Sequence, residues 1–350
     1  MKKRLLALLL VTIMTILPAI TACSSGDTNP SANSSTSGST DIKERTFKIG
    51  HIRPENSSAD LNVKFFKEEL AKASGGKLNV EIYPASQLGD YTVVQERVAI
   101  GDVEMQIAPL ATNMDKGFGI SNAPYIVENW EQAKKVYSSD GELVKAMAAL
   151  LEKNGIKYLA AYPLYFGGIA LIDEPASPGD ANVPKNIKIR VPSMKSFELT
   201  ADTLGYMATP LAWADTFTSM QTGIVDGAIG AGAEGYYSNF RDLIKYYLPL
   251  NDHFEMWYLY MNLELWNKLS PEEQKIIQET AKALEQKRFS EAEAEEDEYK
   301  SKLEAAGITV IKFTDEELKA FAVKCRENVW PKIKADFGAE LFDKITSNIK

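Results

Sequence analysis

Two kinds of chemistry can be asked of the side chains in this sequence, catalysis and anion binding. Catalysis has little to work with. There are two histidines, His51 and His253, and neither stands in a metal-ligand pair of the His-Glu-x-x-His kind. No Gly-x-Ser-x-Gly elbow or kinase signature occurs, and among 48 acidic residues nothing singles out a carboxylate pair. Anion binding has one pointed candidate. In Ile187-Lys188-Ile189-Arg190-Val191-Pro192 the apolar and basic residues alternate with the period of a half-buried strand, and Pro192, which cannot donate to a sheet ladder, ends it. Arg190 is thereby predicted at the carboxyl end of a strand, where open α/β sheets bind ligands. A guanidinium presents two parallel N–H donors to a carboxylate and keeps its charge when buried. By the pattern alone, an arginine on a solvated strand face is the plain reading.

The elements that would position it follow a regular order. Phe47-Lys48-Ile49 alternates as a strand and ends in the turn around Arg53-Pro54. A helix over Asp60 to Ala73 is stopped by Gly75-Gly76, and Leu78 to Tyr83 is a second strand. A helix over Thr92 to Ile100 and a strand over Val103 to Ala108 complete a βαβ rhythm, that of a mostly parallel sheet. No glycine-rich phosphate loop follows the first strand, so a nucleotide site is not expected. Further strands are expected over Ile156 to Tyr162, Phe166 to Ile172 and Phe254 to Asn262, with helices over Ser196 to Leu204 and Trp213 to Thr222. Ser270-Pro271-Glu272-Glu273 opens a long helix to about Leu303, whose charge run from Glu291 to Glu304 reads as a solvated face. Cys325 falls inside a last helix begun at Thr314 and reads as a buried small residue.

The chain has 350 residues and a formal charge of −9, a length that favours two domains and an acidity that argues against nucleic acid as a partner. Lys2, Lys3 and Arg4 precede an apolar run from Leu5 to Ile16, the layout of a signal peptide. Its removal would delete three positive charges and no acid, taking the charge from −9 to −12. Ile20-Thr21-Ala22-Cys23 resembles a bacterial lipobox, which implies cleavage before Cys23 and lipidation of that cysteine. The segment after it is rich in Ser, Gly, Thr and Asn and reads as a flexible tether.

Gln87-Leu88-Gly89, Gly101-Asp102-Val103, Pro124-Tyr125, Lys188-Ile189-Arg190, Thr209-Pro210, Met220-Gln221-Thr222 and Val225-Asp226-Gly227 follow one another in order. In this order they resemble the solute-binding proteins of tripartite ATP-independent periplasmic (TRAP) transporters, of the DctP type, over nearly the whole chain after the leader. The resemblance implies an α/β, two-lobed periplasmic-binding-protein-like fold, type II-like, with a cleft between the lobes and a long charged C-terminal helix. The expected partition is 1–22 leader, 23–44 tether, 45–167 with 257–296 as lobe I, and 168–256 with 297–350 as lobe II.

By that resemblance Arg190 pairs with the ligand's carboxylate, Trp213 supplies an aromatic wall, and Ser193 stands where relatives often place a ligand-contacting Asn. Departures narrow the ligand. The run Gly167-Gly168-Ile169-Ala170 lacks the second arginine many relatives carry, and Ala228-Ile229-Gly230 lacks the polar side chains of sialic acid and dicarboxylate binders. A monocarboxylate with an apolar or aromatic body is therefore expected in preference to a sugar acid, though Arg53 could replace the missing cation. Glu234 could meet an amine on the ligand or serve as a structural partner. Asn113, Tyr165, Tyr236 and Trp257 are expected at strand or loop ends facing the cleft, and Gly230 is placed in the site with them. The implied protein is a lipid-anchored, extracytoplasmic binder with no cofactor or metal, feeding TRAP membrane subunits. A membrane-tethered sensor using the same fold is the alternative.

Overall fold

A computed structural model describes residues 42–347. The leader, Cys23 and all but the last three residues of the tether lie outside the described residues. The chain runs β1 (Arg45–Gly50), α1 (Ser58–Ala73), β2 (Leu78–Tyr83), α2 (Tyr91–Ala99), β3 (Met105–Ala108), α3 (Trp130–Tyr137), α4 (Glu142–Lys153) and β4 (Ile156–Phe166). It continues through β5 (Gly168–Leu171), β6 (Lys188–Val191), α5 (Lys195–Thr203), β7 (Met207–Pro210), α6 (Thr216–Gln221), β8 (Gly227–Ala231), α7 (Ala233–Phe240) and β9 (Tyr246–Leu248). The last part is β10 (Phe254–Asn262), α8 (Leu263–Lys268), α9 (Pro271–Ala305), β11 (Thr309–Val310), α10 (Asp315–Asn328), α11 (Trp330–Phe337) and α12 (Ala339–Thr346).

Two sheets result, ordered β2-β1-β3-β10-β4 and β11-β9-β5-β8-β6-β7. In the first, β1 is parallel to β2 and β3 while β10 runs antiparallel between β3 and β4. In the second, β6 is parallel to β7 and β8, and β5 runs antiparallel between β8 and β9. The alternation read in the sequence is visible in β1, where Phe47 and Ile49 are buried and Lys48 is exposed. β10, which crosses the middle of its sheet, is buried at all nine residues.

The chain crosses between sheets at Gly167 and again at Asn251 to His253. These crossings are bonded to each other: Gly167 N–H donates to the His253 carbonyl at 2.8 Å, and Asn251 N–H donates to the Gly167 carbonyl at 3.0 Å. A β-carbon on Gly167 would stand 2.1 Å from the His253 ring, so this position admits only glycine. α9 is the third connection. Its 35 residues span about 53 Å and pack on β4 of the first sheet and on α7 and β11 of the second lobe. Ile277, Ala281, Leu284, Arg288, Ala292, Glu296, Tyr299 and Leu303 recur at three- and four-residue steps and form its buried stripe.

Three expectations need correction. The charge run on α9 is not wholly solvated: Glu296 turns inward and accepts from Trp130 Nε1 at 3.2 Å and Lys300 Nζ at 2.7 Å. Burial raises the pKa of Glu296. The helix expected over Trp213 to Thr222 is a 3₁₀ turn, Trp213–Asp215, followed by α6. The C-terminal segment does not stay with the second lobe. α10 packs on α5, but α11 packs on the 3₁₀ turn Lys116–Asn122 and α12 on α4, with Trp330 Nε1 donating to the Pro124 carbonyl at 2.7 Å. No helix among the described residues is long and apolar enough to cross a membrane. Cys325 is buried within α10.

α9 begins with a complete capping box, in which Ser270 Oγ accepts from Glu273 N–H and the Glu273 carboxylate accepts from Ser270 N–H. Ser270→Ala should lower stability by about 1 kcal/mol. Urea unfolding followed by circular dichroism should show a lower midpoint with an unchanged slope.

Candidate functional site

The carboxyl ends of parallel strands from both sheets face one another across the gap between the lobes. Arg53 lies three residues past β1, Pro109 just past β3, and Arg190 and Gly230 near the ends of β6 and β8. The antiparallel β10 adds Glu255 and Trp257, two residues apart and so on one face of the strand. These residues, with Tyr91 from the start of α2 and Trp213, line one cavity of about 20 Å³. That is room for about one water molecule. Beside it lies a recess of about 160 Å³ that shares Tyr91, Arg190 and Met194 and is bounded by Ser193 and Asn113.

Arg190 is 2% exposed. Its Nε donates to the Leu211 carbonyl at 2.9 Å and its Nη1 reaches the Ile229 carbonyl at 3.4 Å. No carboxylate among the described residues lies within salt-bridge distance of it. Burial lowers its pKa from the usual guanidinium value, an effect that Tyr91, Tyr236 and Asp90 offset only in part. The two other fully buried arginines are paired: Arg288 with Glu295 at 2.8 Å, and Arg53 with Glu234 at 2.8 Å and Glu255 at 2.7 Å. For Arg53 burial opposes the charge, and the two glutamates more than restore it, raising its pKa. Trp213 is shared, with Arg53 5.0 Å and Arg190 5.4 Å from its ring centroid, and Arg53 lies a further 5.0 Å from the Trp257 ring.

Gly230 has φ +108°, and a β-carbon there would fall 2.7 Å from Pro192 and 3.5 Å from Arg190 Nη1. Its lack of a side chain lets the β6 and β8 ends close around the guanidinium. Trp213 N–H donates to the Asp90 carboxylate at 3.1 Å, a bond from the second lobe to the residue that caps α2 in the first.

The structure gathers Arg190, Trp213, Arg53, Trp257 and Gly230 around the one cavity and sets Ser193 and Asn113 at its neighbouring recess. Asn113 is exposed, and its amide reaches Glu96 Oε1 at 2.5 Å. The other expectations are corrected. Tyr236 stands on α7, a helix capped by Gly232, and not at a strand end, and Glu234 stands on the same helix. Glu234 is the structural partner of Arg53, and the Tyr236 hydroxyl is used up on the Gly168 and Ala228 carbonyls at 2.9 Å each. Tyr165 turns to the α9 side, where its hydroxyl donates to Glu295 at 2.7 Å. Three polar cavity residues escaped the sequence reading. Glu255 was legible by its two-residue spacing from Trp257. Tyr91 follows the helix cap Asp90, and burial pushes its phenol up to about 12. Asn122, at the end of a 3₁₀ turn, carries no periodic signal.

The free hydrogen-bonding capacity of the cavity is on the donor side. Arg53 Nη1, Trp257 Nε1 and Asn122 Nδ2 are buried without partners among the described residues, beside the unpaired Arg190. Such a lining suits an oxygen-bearing anion.

A model of bacterial extracellular solute-binding proteins, family 7 (DctP), matches residues 49–335. A solute-binding protein of Roseobacter denitrificans is 28% identical over 293 residues, 80% of this chain and 85% of that protein. The C4-dicarboxylate-binding protein DctB of Bacillus subtilis is 24% identical, covering 85% of each chain. Among solved structures, the sugar acid binding protein of Advenella mimigardefordensis in complex with galactonate superposes with a TM-score of 0.81 at 22% identity, over 88% of this chain and 98% of that one.

A buried cation without an acid is a cost to the fold. Arg190→Met should leave melting of the ligand-free protein unchanged or raised, since well-packed apolar replacements of buried ions are commonly neutral or stabilising. A structural arginine would instead give a lower melting temperature in differential scanning calorimetry.

Proposed function

The chain belongs to the bacterial extracellular solute-binding proteins of family 7, and on that footing we propose that it captures a small organic acid between its lobes, holds the carboxylate on Arg190, and delivers it to the ion-coupled membrane subunits of a TRAP carrier. The observation that carries this reading is the buried guanidinium of Arg190, which has no acidic partner among the described residues. A ligand carboxylate would supply the missing charge and two acceptors in the planar geometry a guanidinium favours. The gain in such a desolvated pair is large when every donor is satisfied, and here the Leu211 carbonyl already occupies Nε.

The rest of the cavity selects the body of the ligand. The indoles of Trp213 and Trp257 provide flat walls, and the unpartnered donors of Arg53, Trp257 and Asn122 suit oxygen acceptors on the same molecule. The ligand expected is a monocarboxylate carrying such oxygens, which departs from the sequence expectation of an apolar or aromatic body in preference to a sugar acid. The galactonate held by the Advenella protein is a molecule of this kind.

A cavity of about 20 Å³ is smaller than an organic acid, and on this reading the lobes part to load the ligand. The hydrogen-bonded crossings at Gly167 and Asn251 to His253 are the natural pivot. Outside the described residues, lipidation of Cys23 and the tether behind it would keep the protein at the outer face of the membrane, within reach of its carrier.

The test is a thermal-shift screen of the chain from Ser24 onward against organic acids, followed by calorimetric titration. A monocarboxylate should stabilise the wild-type protein. Arg190→Lys, which keeps the charge but loses the two-pronged donor, should weaken binding by about 2–5 kcal/mol, and Trp213→Ala by about 1–3 kcal/mol. Near-normal affinity in Arg190→Lys would refute the anchoring role.

A further inference from the structure

We propose that Glu255, backed by Glu234, makes the cleft selective for singly charged acids by cancelling the charge of Arg53, so that Arg53 serves the ligand as a hydrogen-bond donor and not as a second carboxylate clamp. The inference rests on Arg190 being the carboxylate anchor.

The geometry commits two of the three guanidinium nitrogens of Arg53 to carboxylates already in place. Its Nε donates to Glu234 Oε2 at 2.8 Å and its Nη2 to Glu255 Oε1 at 2.7 Å. Both acids are themselves tied down: Glu255 Oε2 accepts from Gly232 N–H at 2.9 Å, and Glu234 Oε1 accepts from Ser238 Oγ at 2.8 Å. Neither can swing aside without stranding a buried donor. The guanidinium is also wedged. It sits between the Trp213 and Trp257 rings, and a β-carbon on Gly235 would stand 2.4 Å from its Nη2. Only Nη1 remains, buried and unpartnered.

The charge count then discriminates. Arg53, Glu234 and Glu255 together carry −1, so one ligand carboxylate pairs with the +1 of Arg190 and a second meets a group that is already negative. Glu255 lines the cavity itself, and a second carboxylate would face it across a low-dielectric gap. Repulsion of this kind rejects the wrong ligand without adding contacts to the right one. An uncharged hydroxyl or carbonyl oxygen meets no such penalty and can accept from Arg53 Nη1 or Trp257 Nε1. The substrate class is a monocarboxylate with uncharged oxygen substituents.

The experiment is calorimetric titration of the wild type, Glu255→Gln and Glu234→Gln with D-gluconate against D-glucarate, and with 4-hydroxybutyrate against succinate. The wild type should bind the monocarboxylate of a pair at least about tenfold more tightly, and Glu255→Gln should shrink that ratio by about tenfold, because glutamine removes the charge and its single acceptor oxygen can serve only one of the Gly232 N–H and Arg53 Nη2 donors. Glu234→Gln should move the ratio in the same direction and serves if Glu255→Gln does not fold. A wild type that takes the dicarboxylate equally well overturns the inference, as does an unchanged ratio in both variants. If Arg190→Lys still loses both acids in that case, the anchor stands and only the selector falls. If all four acids fail to bind the wild type, both readings are overturned.

Discussion

The structure depends on a charge held in the wrong place. A guanidinium removed from water without a counter-ion is unstable in its charged form, and proteins ordinarily avoid the arrangement or pair it. Two of the three fully buried arginines follow that rule, Arg53 with two glutamates and Arg288 with one. Arg190 does not. It is held at a strand end by two carbonyls and an indole, groups that orient it without neutralising it. The well-packed sheets on either side supply the stability that such an exception draws on.

Around that exception the interior alternates rings and cations. Arg190 and Arg53 share Trp213, Arg53 also meets Trp257, the Trp257 ring lies 6.0 Å from that of Tyr162, and Tyr162 is stacked against Arg288. Indole and phenol faces attract cations but carry no net charge. They can therefore fill the space that water would occupy and still leave the electrostatic demand of Arg190 unmet. The glutamates of this cluster, Glu234, Glu255 and Glu295, each pair with one of the other two arginines.

Much of this was legible in the sequence and the limits are instructive. Alternating residues in Phe47 to Ile49 and the Ser270-Pro271 start of α9 set local structure through backbone and capping rules that act over a few residues, and those elements fold as read. Arg190 at the end of β6 was legible for the same reason, but its burial was not, since one strand's alternation cannot reveal that β8 and the first lobe close over the polar face. Glu234 shows the converse. A lone glutamate has no readable partner when its arginine lies 181 residues earlier and is brought near only by the packing of one lobe on the other. Tyr165 failed at a finer level: β4 was expected to end near Tyr162, and its extension to Phe166 presents that side chain to α9.

The bond between Asp90 and the Trp213 N–H has a consequence for signalling between this protein and anything that reads its shape. It joins the lobes using groups that are present whether or not a ligand is. A bond of this kind favours the closed arrangement with or without a ligand. Affinity gains from this bias, because less of the binding energy is spent on the conformational change. Fidelity loses by the same amount, and a partner that recognises closure alone would respond to a background it cannot distinguish from supply.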